Sequence, residues 1–209
     1  NPALTYAISE SANSSKPLLV FFGVTSAFPQ ASRRQYRFMF EGLRIVRDRL
    51  RERGIRFMLG LEGPVAGLAE LEPLAALVVT DAAYGKTERM WRRTVADRLS
   101  CSCVQVESNV VIPAATASPK EEYSAATLRR KIEPMISWFT EQEPEVSFRA
   151  AGEDVGPEGA GPLLDDVERL MDLLGIESIA KPLSWITGGE DQAQQRLESF
   201  VEHHLDKYA

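Results

Sequence analysis

Short apolar runs alternate with amphipathic segments along the first half of the chain, and this alternation constrains the fold more than any other feature. The continuous run LLVFFGV, from Leu18 to Val24, has the length and texture of a strand that is covered on both faces. The runs IRFMLGL, ALVVT and CVQV are further strand candidates, and a helical segment separates each from the next. Strands that alternate with helices pair in parallel through right-handed crossovers. The sequence therefore predicts an α/β fold, an open and mostly parallel (Rossmann-like) sheet with helices on both faces.

The helical segments carry start and stop signals. Asn1-Pro2 combines an N-cap side chain with a proline at the first helical position, so ALTYAISESANSS is predicted as a short helix. The segment that begins at Ser32 has apolar residues three and four apart and ends at Gly54, as amphipathic helices do. From Glu143 the chain becomes rich in Glu, Pro and Gly. We therefore predict an α/β domain over 1–142, a linker or long loop over 143–161, and helical segments over 162–209.

Composition argues against several classes of protein. A net charge of -6 gives the chain no overall attraction for DNA or anionic membranes. The apolar runs are far shorter than the roughly 20 residues of a membrane span, and no secretory signal opens the chain. Cys101 and Cys103 are the only cysteines, too few for a zinc site and poorly placed for a mutual disulfide. They are predicted to be buried or half-buried thiols in a reducing cytoplasm.

Ligands bind open parallel sheets beyond the carboxyl ends of the strands. Those ends are residues 22–26, 60–63, 80–86 and 107–109. The stretch GLEGPVAG has neither the Rossmann nor the P-loop spacing, so its glycines are predicted to serve a turn. Asp81 either orients a polar ligand group or caps the next turn. His203 and His204 are adjacent and without a metal-ligand set, so they are predicted to be solvated, and no serine has a triad pattern.

Basic residues cluster on two predicted helices. Each cluster is interrupted by acidic neighbours, and aromatic residues are sparse among them. A solvated helix face is the default interpretation, and a DNA-binding stripe is the alternative. The residues are Arg33, Arg34, Arg37, Arg44, Arg47, Arg49, Arg51 and Arg53 on the first helix, and Arg92, Arg93 and Arg98 on the second.

The segment VESNVVIPAATASPKEEYSAATLRRKI, which ends at Ile132, resembles the segment with which the N-terminal domain of class II DNA photolyases leaves its sheet. The blocks RRQYRFMFEGL, LVVTDAAY and GGEDQAQQRLESFVEHHLDKY agree with the family in the same order. Ser118 is predicted as a helix N-cap, with Pro119 at the first helical position and Glu121 closing a capping box. The matching positions are Val106, Asn109, Val111, Pro113, Ala117, Ser118, Lys120, Glu122, Tyr123, Ala125, Thr127, Arg129, Lys131 and Ile132.

The resemblance implies that the parent protein splits cyclobutane pyrimidine dimers in UV-damaged DNA by means of light and reduced FAD. FAD and the flipped dimer are expected in an all-helical domain beyond Tyr208, so no catalytic residue is expected in this chain, which should not repair DNA alone. The α/β domain is expected to be a scaffold with a slot for an antenna pigment, a deazaflavin or another flat pigment. The residues expected to form that slot are Phe22, Gly23, Thr25, Asp81, Tyr84 and Lys86.

The family's first strand lies at the centre of the sheet and would precede Asn1. Because adjacent strands lie about 4.8 Å apart, its place cannot stay empty in a paired sheet. We expect upstream residues, or a segment such as Val146–Arg149, to fill it, and direct pairing of LLVFF with LVVT would contradict this. Two other functions remain open at this point: a stand-alone nucleotide-binding α/β module, and a cryptochrome-like light-signalling protein.

Overall fold

Strands and helices alternate in the order that the apolar runs predict. The computed structural model describes residues 1–26, 28, 31–141, 159–177, 183 and 185–208. The strands are β1 (Leu19–Gly23), β2 (Arg56–Gly60), β3 (Leu77–Asp81) and β4 (Ser102–Val106). The α-helices are α1 (Pro2–Ser14), α2 (Arg33–Glu52), α3 (Gly63–Leu71), α4 (Lys86–Ala96), α5 (Ala114–Ala117), α6 (Ala125–Ile132), α7 (Ile136–Thr140), α8 (Val167–Leu173) and α9 (Glu190–His203).

The chain folds into two compact units. The first unit comprises Asn1–Lys16 and Glu72–Phe148, and the second comprises Pro17–Leu71 and Arg149–Ala209. Each contains one pair of parallel strands, β3 with β4 in the first and β1 with β2 in the second. The predicted α/β class with parallel strands is therefore confirmed. Most of the predicted linker lies outside the described residues.

The strands of the two units are not paired with each other within the described part of the chain. The arrangement that would contradict an intervening strand, β1 bonded directly to β3, is therefore absent from the described residues. The segment Val146–Arg149, which we considered as a filler, lies outside them. An additional strand beside β1 or β3 stays a prediction.

In the second unit, α2 packs its apolar face against β2 and the segment around α8. Tyr36 and Phe40 are buried one turn apart and pack with Leu59 of β2 and with Leu170 and Met171 of α8. The helix begins at a capping contact, in which the Ser32 amide donates to Gln35 Oε1 at 2.9 Å. It ends before Gly54, whose φ of 70° is the left-handed conformation expected of a glycine stop.

In the first unit, α1 packs against β3 and β4. The predicted N-cap is confirmed, because Asn1 Oδ1 accepts from the Leu4 amide at 2.9 Å and Pro2 opens the helix. The helix stops at Ser14, where Ser15 adopts a left-handed conformation just before Lys16-Pro17.

Two expectations for this unit are wrong. Ser118 is not an N-cap: it ends the short helix α5, and the next helix, α6, begins at Ala125 with Ser124 as its cap. Ser118 Oγ accepts from the Lys120 amide at 3.3 Å and from Lys131 Nζ at 2.9 Å, and Pro119 and Glu121 lie outside any helix, so the predicted capping box does not form. Cys103 is exposed instead of half-buried, because β4 turns several of its side chains to solvent. Cys101 is half-buried and precedes the strand.

No helix within the described ranges is long and apolar enough to cross a lipid bilayer.

A glycine exchange tests the packing of β1. A Cβ at Gly23 would overlap the Cα of Pro64 at the start of α3, and backbone cannot move aside as a flexible side chain can. We expect Gly23→Ala to lower the free energy of unfolding by about 2 kcal/mol or more in denaturant titrations. Gly42→Ala is the matched control, since its Cβ would meet its nearest neighbour at 3.6 Å inside a helix. It should leave stability unchanged or raise it by about 0.5–1 kcal/mol.

Candidate functional site

The carboxyl ends of β3 and β4 meet at one edge of the first unit and are tied to the start of α1. Asp81 Oδ1 accepts from Asn1 Nδ2 at 3.1 Å. Ser108 Oγ accepts from the Ala3 amide at 3.2 Å, which satisfies one of the free N–H groups at the helix start. The Asp81 side chain therefore binds Asn1, the N-cap residue of α1.

Tyr84 joins the loop after β3 to the segment after β4. Its hydroxyl donates to Glu107 Oε2 and lies 3.4 Å from the Ala114 amide. Asn109 strengthens the same junction by donating from Nδ2 to the Ala82 carbonyl at 3.3 Å. Since both ends of each loop are held, the Tyr84 ring has a defined orientation.

The Tyr84–Glu107 hydrogen bond shifts the acidity of both groups. The phenol donates to a carboxylate, which favours the neutral phenol and raises the pKa of Tyr84 above its ordinary value. The same bond, with backbone N–H donors that include Asn109, lowers the pKa of Glu107. At neutral pH the pair is a neutral phenol and an ionised carboxylate, which makes the Tyr84 hydroxyl unavailable as a base.

An apolar surface surrounds this junction. Tyr84 is 50% exposed, and Val110 and Val111 in the facing segment are 44% and 62% exposed. Lys86, the first residue of α4, is exposed in the same unit. The loops after β3 and β4 therefore expose an aromatic ring, aliphatic groups and charged side chains. Such a surface can hold a flat ligand with polar substituents.

Arg92 of α4 forms hydrogen bonds with the loop after β3 and with β4. Its Nη2 donates to the Ala83 carbonyl at 2.6 Å and its Nε donates to Gln105 Oε1 at 3.0 Å. The Nη1 atom is buried without a hydrogen-bond partner. Arg92 thus acts in the interior of the unit, which removes it from the basic surface that the sequence indicated.

The other three predicted slot residues lie in the second unit. Phe22 packs against the core of that unit. Glycine is required at position 23, because Pro64 lies too close for a Cβ atom there. The carbonyl of Thr25 accepts from the Tyr36 hydroxyl at 2.6 Å. Each unit therefore contains three of the six predicted residues, and in the second unit their described contacts are those of packing.

Four residues that contribute to the strand-end cluster were absent from the predicted slot. Asn1 and Ser108 reach it through contacts across 80 and 105 residues of sequence, which no local pattern reveals. Glu107 and Asn109 directly follow β4, and a polar residue at the end of a buried strand is a signal that could have identified them.

The segment after β4 contains a second polar cluster, formed by Ser118, Glu122 and Lys131. Lys131 Nζ donates to Glu122 Oε1 at 2.6 Å and to Ser118 Oγ at 2.9 Å, and Ser118 Oγ donates to Glu122 at 2.6 Å. A serine next to a lysine resembles a nucleophile and its base. Here Lys131 is ion-paired with the Glu122 carboxylate, which also accepts from the serine hydroxyl, so all three side chains bind one another. The cluster therefore fastens the turn and does not form a catalytic pair.

The arginines of α2 bind carboxylates of their own unit. Arg33 donates to Glu168 and Asp172 of α8, at 2.8 Å in each case. Arg47 binds Asp165 at 2.7 Å, and Arg49 binds Glu190 and Asp191 at the start of α9. Neither the solvated face nor the DNA stripe describes these three residues, because their charge is used to hold the C-terminal segments against α2.

Metal chemistry has no support within the described ranges. They contain no group of three or more His, Cys, Asp or Glu side chains that could hold an ion. His203 and His204 are exposed near the end of α9, as the sequence predicts.

Comparisons with known proteins agree with the family resemblance found in the sequence. The family model described as DNA photolyase matches residues 1–147. A deoxyribodipyrimidine photo-lyase from Methanothermobacter thermautotrophicus is 37% identical over 206 residues, which cover 99% of this chain and 45% of that protein. A deoxyribodipyrimidine photo-lyase from Potorous tridactylus is 28% identical, over 98% of this chain and 38% of its own length. The chain thus spans less than half the length of these relatives.

A solved structure supports the fold. The archaeal photolyase from Sulfolobus tokodaii, described as containing two FAD molecules with implication of a novel light-harvesting cofactor, matches with a TM-score of 0.61. The match covers 93% of this chain and 42% of that protein, with 15% sequence identity. At this identity the match shows a shared fold.

The fastening cluster predicts a pH dependence of stability. Hydrogen bonds from Lys131 and Ser118 lower the pKa of Glu122 from 4.5 to about 2. A depressed carboxyl pKa stabilises the fold above the unfolded value and loses that effect as pH falls through the folded value. We expect the stability difference between the wild type and Glu122→Gln to shrink between pH 4.5 and about 2. Denaturant titrations across this range measure it. Glu121→Gln, at the exposed neighbouring position, should show no such trend.

The Tyr84–Glu107 bond predicts a change in phenol titration. Replacing the carboxylate by a neutral amide in Glu107→Gln should lower the pKa of Tyr84 toward its ordinary value of 10. Ultraviolet difference titration at alkaline pH detects tyrosinate formation. The shifted phase should vanish in Tyr84→Phe, which identifies the residue, and an unchanged titration in Glu107→Gln would contradict the assigned bond.

Proposed function

This chain belongs to the DNA photolyase family, and on that basis we propose that it is the N-terminal α/β region of a light-dependent enzyme that splits cyclobutane pyrimidine dimers in UV-damaged DNA. The observation that carries the proposal is the family match over residues 1–147, together with the 37% identity to a photolyase along nearly the whole chain. The chain spans less than half the length of its relatives. We therefore assign repair to a family-length protein, by which we mean one as long as those relatives. The region described above contributes the scaffold.

The proposal includes an antenna-pigment slot at the strand ends. The resemblance suggested Phe22, Gly23, Thr25, Asp81, Tyr84 and Lys86, and the proposal rests on the three that lie in the first unit. There the half-exposed Tyr84 ring and the exposed Val110 and Val111 suit a flat pigment, while Asp81 and Lys86 supply polar anchors. The pigment is proposed to be a deazaflavin-type or other antenna. The light-harvesting cofactor named for the Sulfolobus tokodaii photolyase belongs to that protein and motivates the search for one here.

FAD is assigned in this proposal to a helical domain of the family-length protein, and no residue of this chain is proposed to hold it. The cofactor would supply the light-driven electron chemistry. The residues of this chain would fix the fold and orient an antenna pigment. We also propose a cytoplasmic location, which the free thiols of Cys101 and Cys103 favour.

The exposed apolar side chains of helix α9 are evidence for a helical partner. Its amino end is anchored to α2, because Arg49 binds Glu190 and Asp191 and the Gly188 amide donates to Glu41 at 2.8 Å. Along the remainder, Leu197 and Val201 are about half exposed and lie one turn apart, and Leu205 continues their stripe. A single helix of 14 residues is marginal in water without a covered apolar face. The stripe is therefore suited to helix packing, in keeping with the proposed FAD-binding domain.

Absorption and repair measurements on the protein expressed from its natural reading frame test the proposal. We expect visible absorption from bound FAD and light-dependent loss of cyclobutane dimers from irradiated DNA, with a dark incubation as the control. FAD binding without repair would favour a light-signalling protein. A bound nucleotide without visible absorption would favour a stand-alone nucleotide-binding module, and either result would overturn the proposal.

A further inference from the structure

Tyr123 is exposed to an unusual degree and is held in place on both sides. Its side chain is 98% exposed, the highest value among the large apolar residues that the structure describes. The preceding residue, Glu122, is fixed by Lys131 at 2.6 Å and by Ser118. The following residue, Ser124, caps α6 by accepting from the Thr127 amide at 3.3 Å. A tyrosine on a fixed backbone loses little conformational entropy when it binds a partner, which favours its use as an anchor.

The same stretch exposes other large apolar side chains. Trp138 is 77% exposed, and Ile136 and Leu128 are 44% and 36% exposed. Exposed aromatic residues near aliphatic ones are typical of the centre of protein interfaces, where buried Tyr and Trp dominate the binding energy. Residues 118–141, which we call the Tyr123 segment, therefore have the composition of a docking surface.

The net charge of the Tyr123 segment distinguishes between DNA and protein as its partner. The Tyr123 segment has four basic and four acidic side chains, so its net charge is zero. DNA binding relies on excess positive charge that neutralises phosphates, and this segment has none to offer. A protein partner is favoured. The charged residues are Lys120, Arg129, Arg130 and Lys131, and Glu121, Glu122, Glu133 and Glu141.

We propose that the Tyr123 segment is the surface on which another part of the same polypeptide docks, with the Tyr123 ring inserted into an apolar pocket of a helical domain. The inference rests on the proposed function, which supplies such a domain. The relatives have more than half of their length outside the region that they share with this chain, enough to form the partner. The pocket should contain a hydrogen-bond acceptor for the Tyr123 hydroxyl, because a buried phenol needs a partner. The Ser118–Glu122–Lys131 cluster would hold the anchor in position.

Photo-cross-linking tests the docking in the protein expressed from its natural reading frame. Tyr123→p-benzoylphenylalanine keeps an aromatic side chain at a position that tolerates change because it is exposed. Leu74→p-benzoylphenylalanine is the control, since Leu74 is 60% exposed in the same unit but lies outside the Tyr123 segment. We expect position 123 to cross-link to residues of the same polypeptide outside positions 1–209, with a yield about tenfold above that of the control. Cross-links to a second copy or to added DNA, or a yield no higher than the control, would overturn the proposal.

Hydroxyl-radical footprinting of the unmodified protein gives an independent answer should the cross-linking variant fold poorly. Tyr123 should be oxidised at least about fivefold more slowly in the native protein than after unfolding, because docking covers its ring. Equal rates would refute docking. A protein that lacks FAD and repair activity but shows the cross-link would overturn the proposed function and leave the docking surface in place.

Discussion

Parallel pairing of strands governs the rest of this structure. Two parallel strands cannot be joined by a tight turn, so the chain must cross from one end of the pair to the other, and α2 and α4 make these crossings. The same geometry brings the carboxyl ends of β3 and β4 to one edge. Asp81 and Glu107 come to the same edge for that reason, although the 20 residues of the crossover, 82–101, separate the two strands. The position of the candidate site thus follows from strand direction, and its chemistry follows from the residues that the two strands place at their ends.

Electrostatics in the second unit has a structural purpose. Arginine residues along α2 pair with acidic residues of α8 and of the start of α9. Exposed ion pairs each contribute little to stability, but several on one helix fix the register of the segments that they join. The high arginine content of α2 is thereby explained without a nucleic acid, and the acidic segments after residue 159 provide the counter-charges.

Local sequence patterns predicted most of the helices and strands. They failed where contacts between residues distant in sequence determine the structure. Apolar runs located all four strands, and Asn1-Pro2 located the start of α1, because strand burial and helix capping act within a few residues. Ser118-Pro119 has the same local signature but starts no helix, since Lys131 engages the serine hydroxyl from 13 residues away. For the site, the strand ends could be read from the sequence. The contacts that hold them could not, because Asn1 and Asp81 are distant in sequence and adjacent only after folding.

The first unit is discontinuous in sequence, and this has a consequence for how the protein is made. Helix α1 is synthesised before its partners Asp81 and Ser108, which follow 80 and 105 residues later. At synthesis rates of about 5–20 residues per second, the interval is about 4–20 s. During that time β3 and β4 are not yet available to cover the buried face of α1, while the second unit's first segment, Pro17–Leu71, is being produced. The nascent chain therefore passes through a period in which an apolar helix is open to chaperones, and synonymous changes that slow translation of this stretch would lengthen it.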